Sequence, residues 1–328
     1  MKDILNFLFE HKKLSRDEAK KVLINIAQEK YSESEIAAFL SVYIMRSIGV
    51  EELAGFRDAL LDLCLKVDLN GYDVIDLCGT GGDGKDTFNI STLASFVVAG
   101  AGINVAKHGN YGVSSGCGSS NVMEHLGYKF VNDPSALKLC IEKAGICFLH
   151  APLFHPAMKV VAPVRKKLRV KTFFNMLGPL VNPAFPKYQV TGVFSHELAR
   201  IYTYLNQQTD KNFVIIHSLD GYDEISLTES TRLISQDKEQ IISPEEMGFN
   251  TINPDEISGG QSVEESARIF SNVREGKGTN AQNNVVLANA AVAIQCYYPE
   301  KKWAECIEIA GTSLYEKKAL NSFKMLIN

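Results

Sequence analysis

The segment Gly79-Thr80-Gly81-Gly82-Asp83-Gly84-Lys85-Asp86-Thr87 packs four glycines into six residues. Glycines at that density let backbone N–H groups approach a phosphate, and a helix opening directly behind them adds a favourable dipole. By shape alone, three readings compete. The segment fits GxGxxG, but a dinucleotide site also needs an acid about 20 residues on, at the end of the next strand. That next apolar run ends Val105-Ala106-Lys107, without an acid. The segment nearly fits a Walker A loop, but Asp86 stands where a Ser or Thr should hold Mg²⁺. The third reading is a plain tight turn.

The residues that follow favour an anion site of another kind. From Thr87 to Met123 there are 37 residues without one Asp or Glu. Within them lie Asn89-Ile90-Ser91-Thr92 and the run Lys107-His108-Gly109-Asn110-Tyr111-Gly112, continuing through Ser115 to Ser119 and Ser120. Hydroxyls, small residues and free backbone donors at this density suit a heavily phosphorylated ligand. A plain Ser/Gly linker is the alternative.

Asp223-Glu224 follows the apolar run Phe213–His217. Adjacent carboxylates at a strand end suit Mg²⁺, which takes hard oxygen ligands and shares them with substrate phosphates. Ser91 could add a hydroxyl from the glycine-loop side, and a solvated acidic turn is the plain alternative. Between these two regions, His150, His155 and Pro163-Val164-Arg165 combine apolar, imidazole and guanidinium groups. These suit a flat aromatic acid, its carboxylate on Arg165. Isolated histidines are more often structural. The basic run Arg165–Lys171 is usually a solvated helix face, with a nucleic-acid patch as the alternative.

These residues need elements to position them. Residues 1–68 read as helices only. Ser15 with Glu18 and Ser32 with Glu35 form capping boxes ahead of apolar residues at helical spacing. Leu53, Phe56, Leu60, Cys64 and Val67 make another apolar stripe, and all these stripes read as core and subunit interface. At Asn70-Gly71 the pattern changes. Val74–Cys78 reads as a buried strand, Ser91–Ala101 as a helix, and Ile103–Lys107, Ile146–Leu149 and Phe213–His217 as further strands. Val285–Ile294 is Ala-rich and helical. Strands alternating with helices imply an α/β fold with a mostly parallel central sheet flanked by helices. Ligands of such sheets bind at the strand ends.

Composition narrows the function classes. Lys plus Arg is 34 and Asp plus Glu 38, a net charge of −4, a poor basis for nonspecific nucleic-acid binding. Seven scattered cysteines without a CxxC argue against a disulfide framework or a cysteine zinc site. The expected compartment is reducing and cytoplasmic. The first residues, with Lys2, Asp3 and Glu10 around a short apolar run, do not read as a signal peptide. No run approaches the roughly 18 apolar residues of a spanning helix, so no membrane partner is expected.

At Gly79–Gly84, Asn89–Thr92, Lys107–Asn110, Gly118-Ser119, His155–Met158, Pro163–Arg165, Phe174–Leu180 with Asn182-Pro183, and Asp223-Glu224, the chain resembles the anthranilate phosphoribosyltransferases. The match runs in order over nearly the whole chain. The resemblance implies transfer of a phosphoribosyl group from phosphoribosyl pyrophosphate to anthranilate. The products are N-(5-phosphoribosyl)anthranilate and pyrophosphate, in tryptophan biosynthesis. It also implies a small helical domain, residues 1–70 plus about 160–184, serving dimerisation. This domain would be hinged to an α/β phosphoribosyl pyrophosphate-binding domain, residues 71–159 plus about 185–328. Family members are usually homodimers.

Carried over by position, Gly79, Gly82, Asp83, Thr87, Asn89, Ser91, Thr92, Lys107, Ser115 and Ser119 resemble the phosphoribosyl pyrophosphate site. Ser91, Asp223 and Glu224 resemble the Mg²⁺ ligands. Gly79, Asn110 and Arg165 resemble the anthranilate contacts, with His108, His155 and Gly178 near the ring. No side chain is expected to act as nucleophile or acid–base catalyst. The chain departs from the family pattern at Tyr111 for Arg, Asn121 for Asp, Lys171 for Arg and Tyr222 for Leu. One rival reading is a pyrimidine nucleoside phosphorylase-like enzyme, whose chains share the glycine loop but are longer, with a further C-terminal domain. The other is a non-catalytic nucleic-acid-binding homologue using the basic run.

Overall fold

The structure is a computed structural model that describes residues 1–112 and 116–328. In chain order, four helices come first: α1 (Lys2–Phe9), α2 (Arg16–Ala27), α3 (Glu33–Met45) and α4 (Val50–Leu63). There follow β1 (Val74–Gly79), α5 (Ile90–Gly100), β2 (Asn104–Gly109), α6 (Ser119–His125), α7 (Pro134–Ala144) and β3 (Ile146–His150). The short α8 (Ala151–Phe154) and α9 (Ala157–Leu168) precede two 3₁₀ turns, Phe173–Met176 and Gly178–Leu180. The remainder is β4 (Tyr188–Gly192), α10 (His196–Gln207), β5 (Asn212–Ser218), β6 (Thr231–Ile234), β7 (Glu239–Ile242), α11 (Val263–Arg274), α12 (Asn280–Tyr297), α13 (Trp303–Tyr315) and α14 (Lys318–Ile327). The chain divides into two compact units, Met1–Val67 with Ala151–Phe185, and Asp68–His150 with Pro186–Asn328.

The first unit is helical. Both expected capping boxes form. Glu18 N donates to Ser15 Oγ and Ser15 N to Glu18 Oε2, and Ser32 with Glu35 repeats the exchange. Phe39, Tyr43, Phe56 and Phe173 make an aromatic cluster, with Phe173 stacked on Phe56 at 4.4 Å between centroids. Phe173 comes from the later segment, so the core of this unit is built from both stretches of chain.

Glu52 on α4 is the exception among these apolar faces. Its side chain is 0% exposed. Arg46 grips it with a fork, Nη1 to Oε2 at 2.9 Å and Nη2 to Oε1 at 2.6 Å. Leu14 N, Gly49 N and the Tyr43 hydroxyl donate to the same carboxylate. Burial pushes the Glu52 pKa up, but these donors outweigh it and hold the group below its ordinary value.

The second unit is α/β. Among the described residues its sheet has seven strands in the order β3-β2-β1-β4-β5-β6-β7. The first five run parallel, and β6 and β7 add an antiparallel edge. Helix α5 packs on β1 and β2, and α12 on β4 and β5. Both helices are apolar nearly all round and are buried accordingly. Strand order reverses between β1 and β4. In parallel sheets the crevice beyond the carboxyl ends at such a reversal is where ligands bind.

The fold class is as expected from the sequence, with three differences of detail. Residues 151–159, assigned above to the α/β domain, lie in the helical unit, because the chain leaves the sheet as soon as β3 ends at His150. β4 is not among the strands expected from the sequence. Its Gln189 and Thr191 are polar yet 1% exposed each, so no continuous apolar run marks it. The β6–β7 hairpin is also absent from that reading, because β7 alternates exposed and half-buried residues at the sheet edge. Among the described residues no helix is long and apolar enough to cross a membrane.

Candidate active site

The glycine loop leaves the carboxyl end of β1. Gly81 and Gly82 take positive φ, +64° and +82°, which only glycine adopts without strain. The turn swings the Gly81 amide round to donate to Asp223 Oδ2 at 2.6 Å. Thr80 N donates to Gly192 O at the end of β4 at 2.9 Å. Ser91 N, in the first turn of α5, donates to Glu224 Oε1 at 2.9 Å, and Thr87 Oγ1 lies 3.5 Å from Glu224 Oε2. The glycine loop, the start of α5 and the acid pair thus form one connected cluster at the strand reversal.

The acid pair is held from behind. Asn289 of α12 donates through Nδ2 to Ile225 O and accepts from Ile225 N, gripping the residue after Glu224 on both sides. Ser218 Oγ donates to Glu224 O at 2.6 Å. Gly192 backs directly onto Asp223, and a Cβ at position 192 would overlap the Asp223 carbonyl. Gly192→Ala should therefore displace the acid pair. Because misplacement by about 1 Å can cost about 100-fold, kcat should fall by at least that much. Steady-state kinetics, with circular dichroism to check the fold, measure it; wild-type kcat would show that the contact has no consequence.

Electrostatics mark the pair as short of positive charge. Asp223 is 7% exposed. Burial, then the neighbouring Asp83 carboxylate, pushes its pKa up to about 7. Burial, then Asp223, pushes Glu224 well above its ordinary value, against the Ser91 amide and Lys107. Two crowded carboxylates whose charge the surrounding donors do not balance fit a hard divalent cation. Among the described residues no group of three or more His, Cys, Asp or Glu side chains is arranged to hold a metal alone. That donor set fits an ion whose remaining ligands come from substrate oxygens.

The second loop follows β2. Lys107 is 1% exposed and its ammonium donates to Leu77 O at 2.6 Å; burial lowers its pKa, opposed by Asp76, Cys78 and Glu224. His108 N donates to the buried Asp76 at 3.1 Å. Asn89 Nδ2 reaches Cys117 O, and Gly116 N reaches Asp86 Oδ1, so the two loops touch. Ser119 Oγ donates to Asn110 O at 3.3 Å. Thr92 is buried in the first turn of α5. Gly79, Gly82, Asp83, Thr87, Asn89, Ser91, Thr92, Lys107, His108, Asn110, Ser119, Asp223 and Glu224 therefore share the carboxyl edge of one sheet. Ser115 lies outside the described residues.

His150 has a structural place. Its Nδ1 pairs with Ser120 Oγ at 2.8 Å, and its ring stacks on Phe130 and meets the edge of Tyr111. Tyr111, where the family pattern has Arg, is exposed, and its hydroxyl lies 3.4 Å from both oxygens of Glu124.

His155, Arg165 and Gly178 belong to the helical unit. Arg165 sits on α9, donates from Nη2 to Asn175 Oδ1 at 3.2 Å and lies 5.4 Å from the Phe174 ring centroid. Burial lowers its pKa, and no acid is among the causes. His155 is buried, and the space where Gly178 would carry a side chain is open.

Sequence reasoning missed Gly192, Asn289 and Asp76. An Asn inside an Ala-rich buried helix was the available signal for Asn289, since a buried amide needs partners. Gly192 and Asp76 carried no comparable signal without the strand pairing.

The sequence model of the glycosyl transferase family, helical bundle domain, matches residues 2–64, and that of its a/b domain matches residues 71–320. The anthranilate phosphoribosyltransferase of Flavobacterium johnsoniae is 62% identical over 326 residues, covering 99% of this chain and 98% of its own. The chain belongs to the anthranilate phosphoribosyltransferase family. The crystal structure of the Thermus thermophilus member superposes with a TM-score of 0.91 at 30% identity, covering 98% of each chain. The Saccharomyces cerevisiae member, solved in complex with PRPP and Mg, gives 0.89 at 28% identity, over 96% of this chain and 93% of that one. These relatives are enzymes of the phosphoribosyltransferase class, and the match spans both units.

Proposed function

We propose that the chain transfers the phosphoribosyl group of phosphoribosyl pyrophosphate to the amino nitrogen of anthranilate, releasing pyrophosphate, as a step of tryptophan biosynthesis. The observation that carries this reading is the Asp223–Glu224 pair, hydrogen-bonded to the glycine loop and to the first turn of α5. The yeast relative's complex with PRPP and Mg supports it.

In this reading the C1–O bond to pyrophosphate breaks as the C1–N bond forms, with positive charge building on the sugar as in other glycosyl transfers, and the amine nitrogen gives up one proton to the released pyrophosphate or to water. Anthranilate already carries a nucleophilic amine, so the protein needs no side-chain nucleophile. Its work is to align two substrates and to receive the charge of the leaving group. Backbone donors at Gly79–Gly84, the α5 dipole, Asn89, Ser91, Thr92, Ser119 and Lys107 serve the phosphates. Asp223, Glu224 and the Ser91 hydroxyl would hold Mg²⁺. When bound, that ion supplies Lewis-acid neutralisation of the departing pyrophosphate. Within the helical unit, Arg165 is the residue assigned to the anthranilate carboxylate, and His155 and Gly178 are assigned to its ring. A homodimer in the cytoplasm is part of the same reading, and the helical unit leaves Phe9, Ile44 and Met45 exposed for a second copy to cover.

Loss of anthranilate fluorescence on adding phosphoribosyl pyrophosphate, with Mg²⁺ and with chelator, tests the assignment. No loss with Mg²⁺ present would defeat it, and phosphate-dependent cleavage of thymidine would favour the phosphorylase reading instead. Arg165→Ala should raise KM for anthranilate by about 30-fold while moving KM for phosphoribosyl pyrophosphate far less, the loss of a charge-assisted bidentate contact being worth about 2 kcal/mol. An unchanged anthranilate KM would remove the carboxylate role.

A further inference from the structure

The loop between β2 and α6 is pinched at its base. Gly112 N donates to Asn121 Oδ1 at 2.9 Å, and Gly118 N donates to the same oxygen at 3.0 Å. Beside this, Ser120 N donates to Asn110 O at 3.1 Å, and Ser119 Oγ donates to it at 3.3 Å. The two strands of the neck press together. A Cβ on Gly118 would overlap Gly112 N and fall 2.6 Å from Tyr111 C and 2.8 Å from Asn110 O. One amide oxygen thus uses both of its lone pairs to tie the outgoing backbone to the returning backbone.

The tie matters because of what stands on either side of it. Asn110 leads into the neck and Ser119 leads out, and both belong to the loop assigned above to substrate. Asn121 itself lies on α6 and contacts only loop backbone in these bonds. Through these bonds it acts on the spacing of Asn110, Gly118 and Ser119.

We infer that Asn121 is a positioning residue for the diphosphate-binding loop: its side-chain oxygen sets the separation of the loop's two ends and so governs affinity for phosphoribosyl pyrophosphate rather than the rate of transfer. The inference rests on the proposed function for its substrate, though not for the geometry of the tie. Removing the acceptor leaves two N–H groups to find water, and the neck must widen to admit it. A carboxylate at the same position presents an oxygen on the same atoms from Cα outward and can accept both bonds.

Three full-length variants test this: Asn121→Leu, which keeps the branched outline and removes the acceptor; Asn121→Asp, which keeps the acceptor; and Asn121→Ser, too short to reach both amides, which replaces the Leu variant should that not fold. Asn121→Leu should raise KM for phosphoribosyl pyrophosphate about tenfold while kcat stays within about threefold. Asn121→Asp should restore the wild-type KM to within about threefold. Hydrogen exchange at the Gly112 and Gly118 amides should quicken in the Leu variant and return to the wild-type rate in the Asp variant. A Leu variant with wild-type KM and wild-type exchange, or an Asp variant as impaired as the Leu variant, overturns the inference. If the wild-type protein turns over no phosphoribosyl pyrophosphate, the proposed function has failed, while amide exchange still reports whether the tie exists.

Discussion

Asp223→Asn combined with Glu224→Gln should lower kcat by about three orders of magnitude or more at saturating Mg²⁺, since Lewis-acid neutralisation of a leaving group is worth several kcal/mol. The amides keep the size of the acids and still offer an oxygen to Gly81 N and Ser91 N, so the glycine loop should hold its shape. What disappears is charge. Asp223 is buried and Glu224 half-buried beside it, and desolvation with the crowding of neighbouring carboxylates already disfavours their ionised forms. The doubly neutral variant should therefore melt no lower than wild type in chelator, while its activity collapses. Near-normal turnover would remove the metal assignment. Lost turnover accompanied by a lower melting point would mean that the pair serves structure instead.

Glu52→Ala should cost the helical unit about 3–5 kcal/mol, the usual result of removing one partner from a buried ion pair. Arg46, only 14% exposed on its side chain, would lose both of its bonds to Glu52, and the Leu14 and Gly49 amides would lose their acceptor. Thermal melting of wild type and variant followed by circular dichroism measures the gap. Its pH dependence has a definite sign. Glu52 is held below its ordinary pKa in the folded chain, so the unfolded chain takes up its proton first as pH falls. The stabilisation is complete above the unfolded carboxylate value of about 4.3. It drains away as pH drops from there through the folded value. A gap that did not narrow on acidification, or one below about 1 kcal/mol at pH 7, would contradict the network.

Much of the site was legible because its chemistry is local in sequence. The glycine loop, the acid-free stretch to Met123 and the Asp223-Glu224 pair each sit within a short window, and the two capping boxes were likewise readable three residues at a time. What stayed hidden depends on distant partners. Glu52 reads as one more charge on an amphipathic helix, because its five hydrogen bonds come from residues 14, 43, 46 and 49. β4 is masked by buried Gln189, whose amide oxygen accepts from Lys211 at 3.2 Å across the sheet. Gly192 and Asn289 matter only because the strand order and α12 bring them against the acid turn. The Arg165–Lys171 run reads as a single basic face, yet α9 ends at Leu168 and Arg169 turns left-handed at φ +54°. Arg169–Lys171 therefore leave the helix, and on α9 itself Arg165 lies half-buried beside Phe174 and Asn175 while Lys166 and Lys167 are exposed.

The helical unit is assembled from two stretches of chain with the first three parallel strands between them. On the ribosome, α1–α4 emerge first, but Phe173, the ring that stacks on Phe56, is made only after β3 has been synthesised. The nascent amino-terminal helices must wait with part of their aromatic face uncovered. Meanwhile β1 lacks β4, its other neighbour, until Tyr188–Gly192 has been added. Neither unit can finish before the other is well under way, so this chain departs from the usual order in which an amino-terminal domain folds to completion during synthesis.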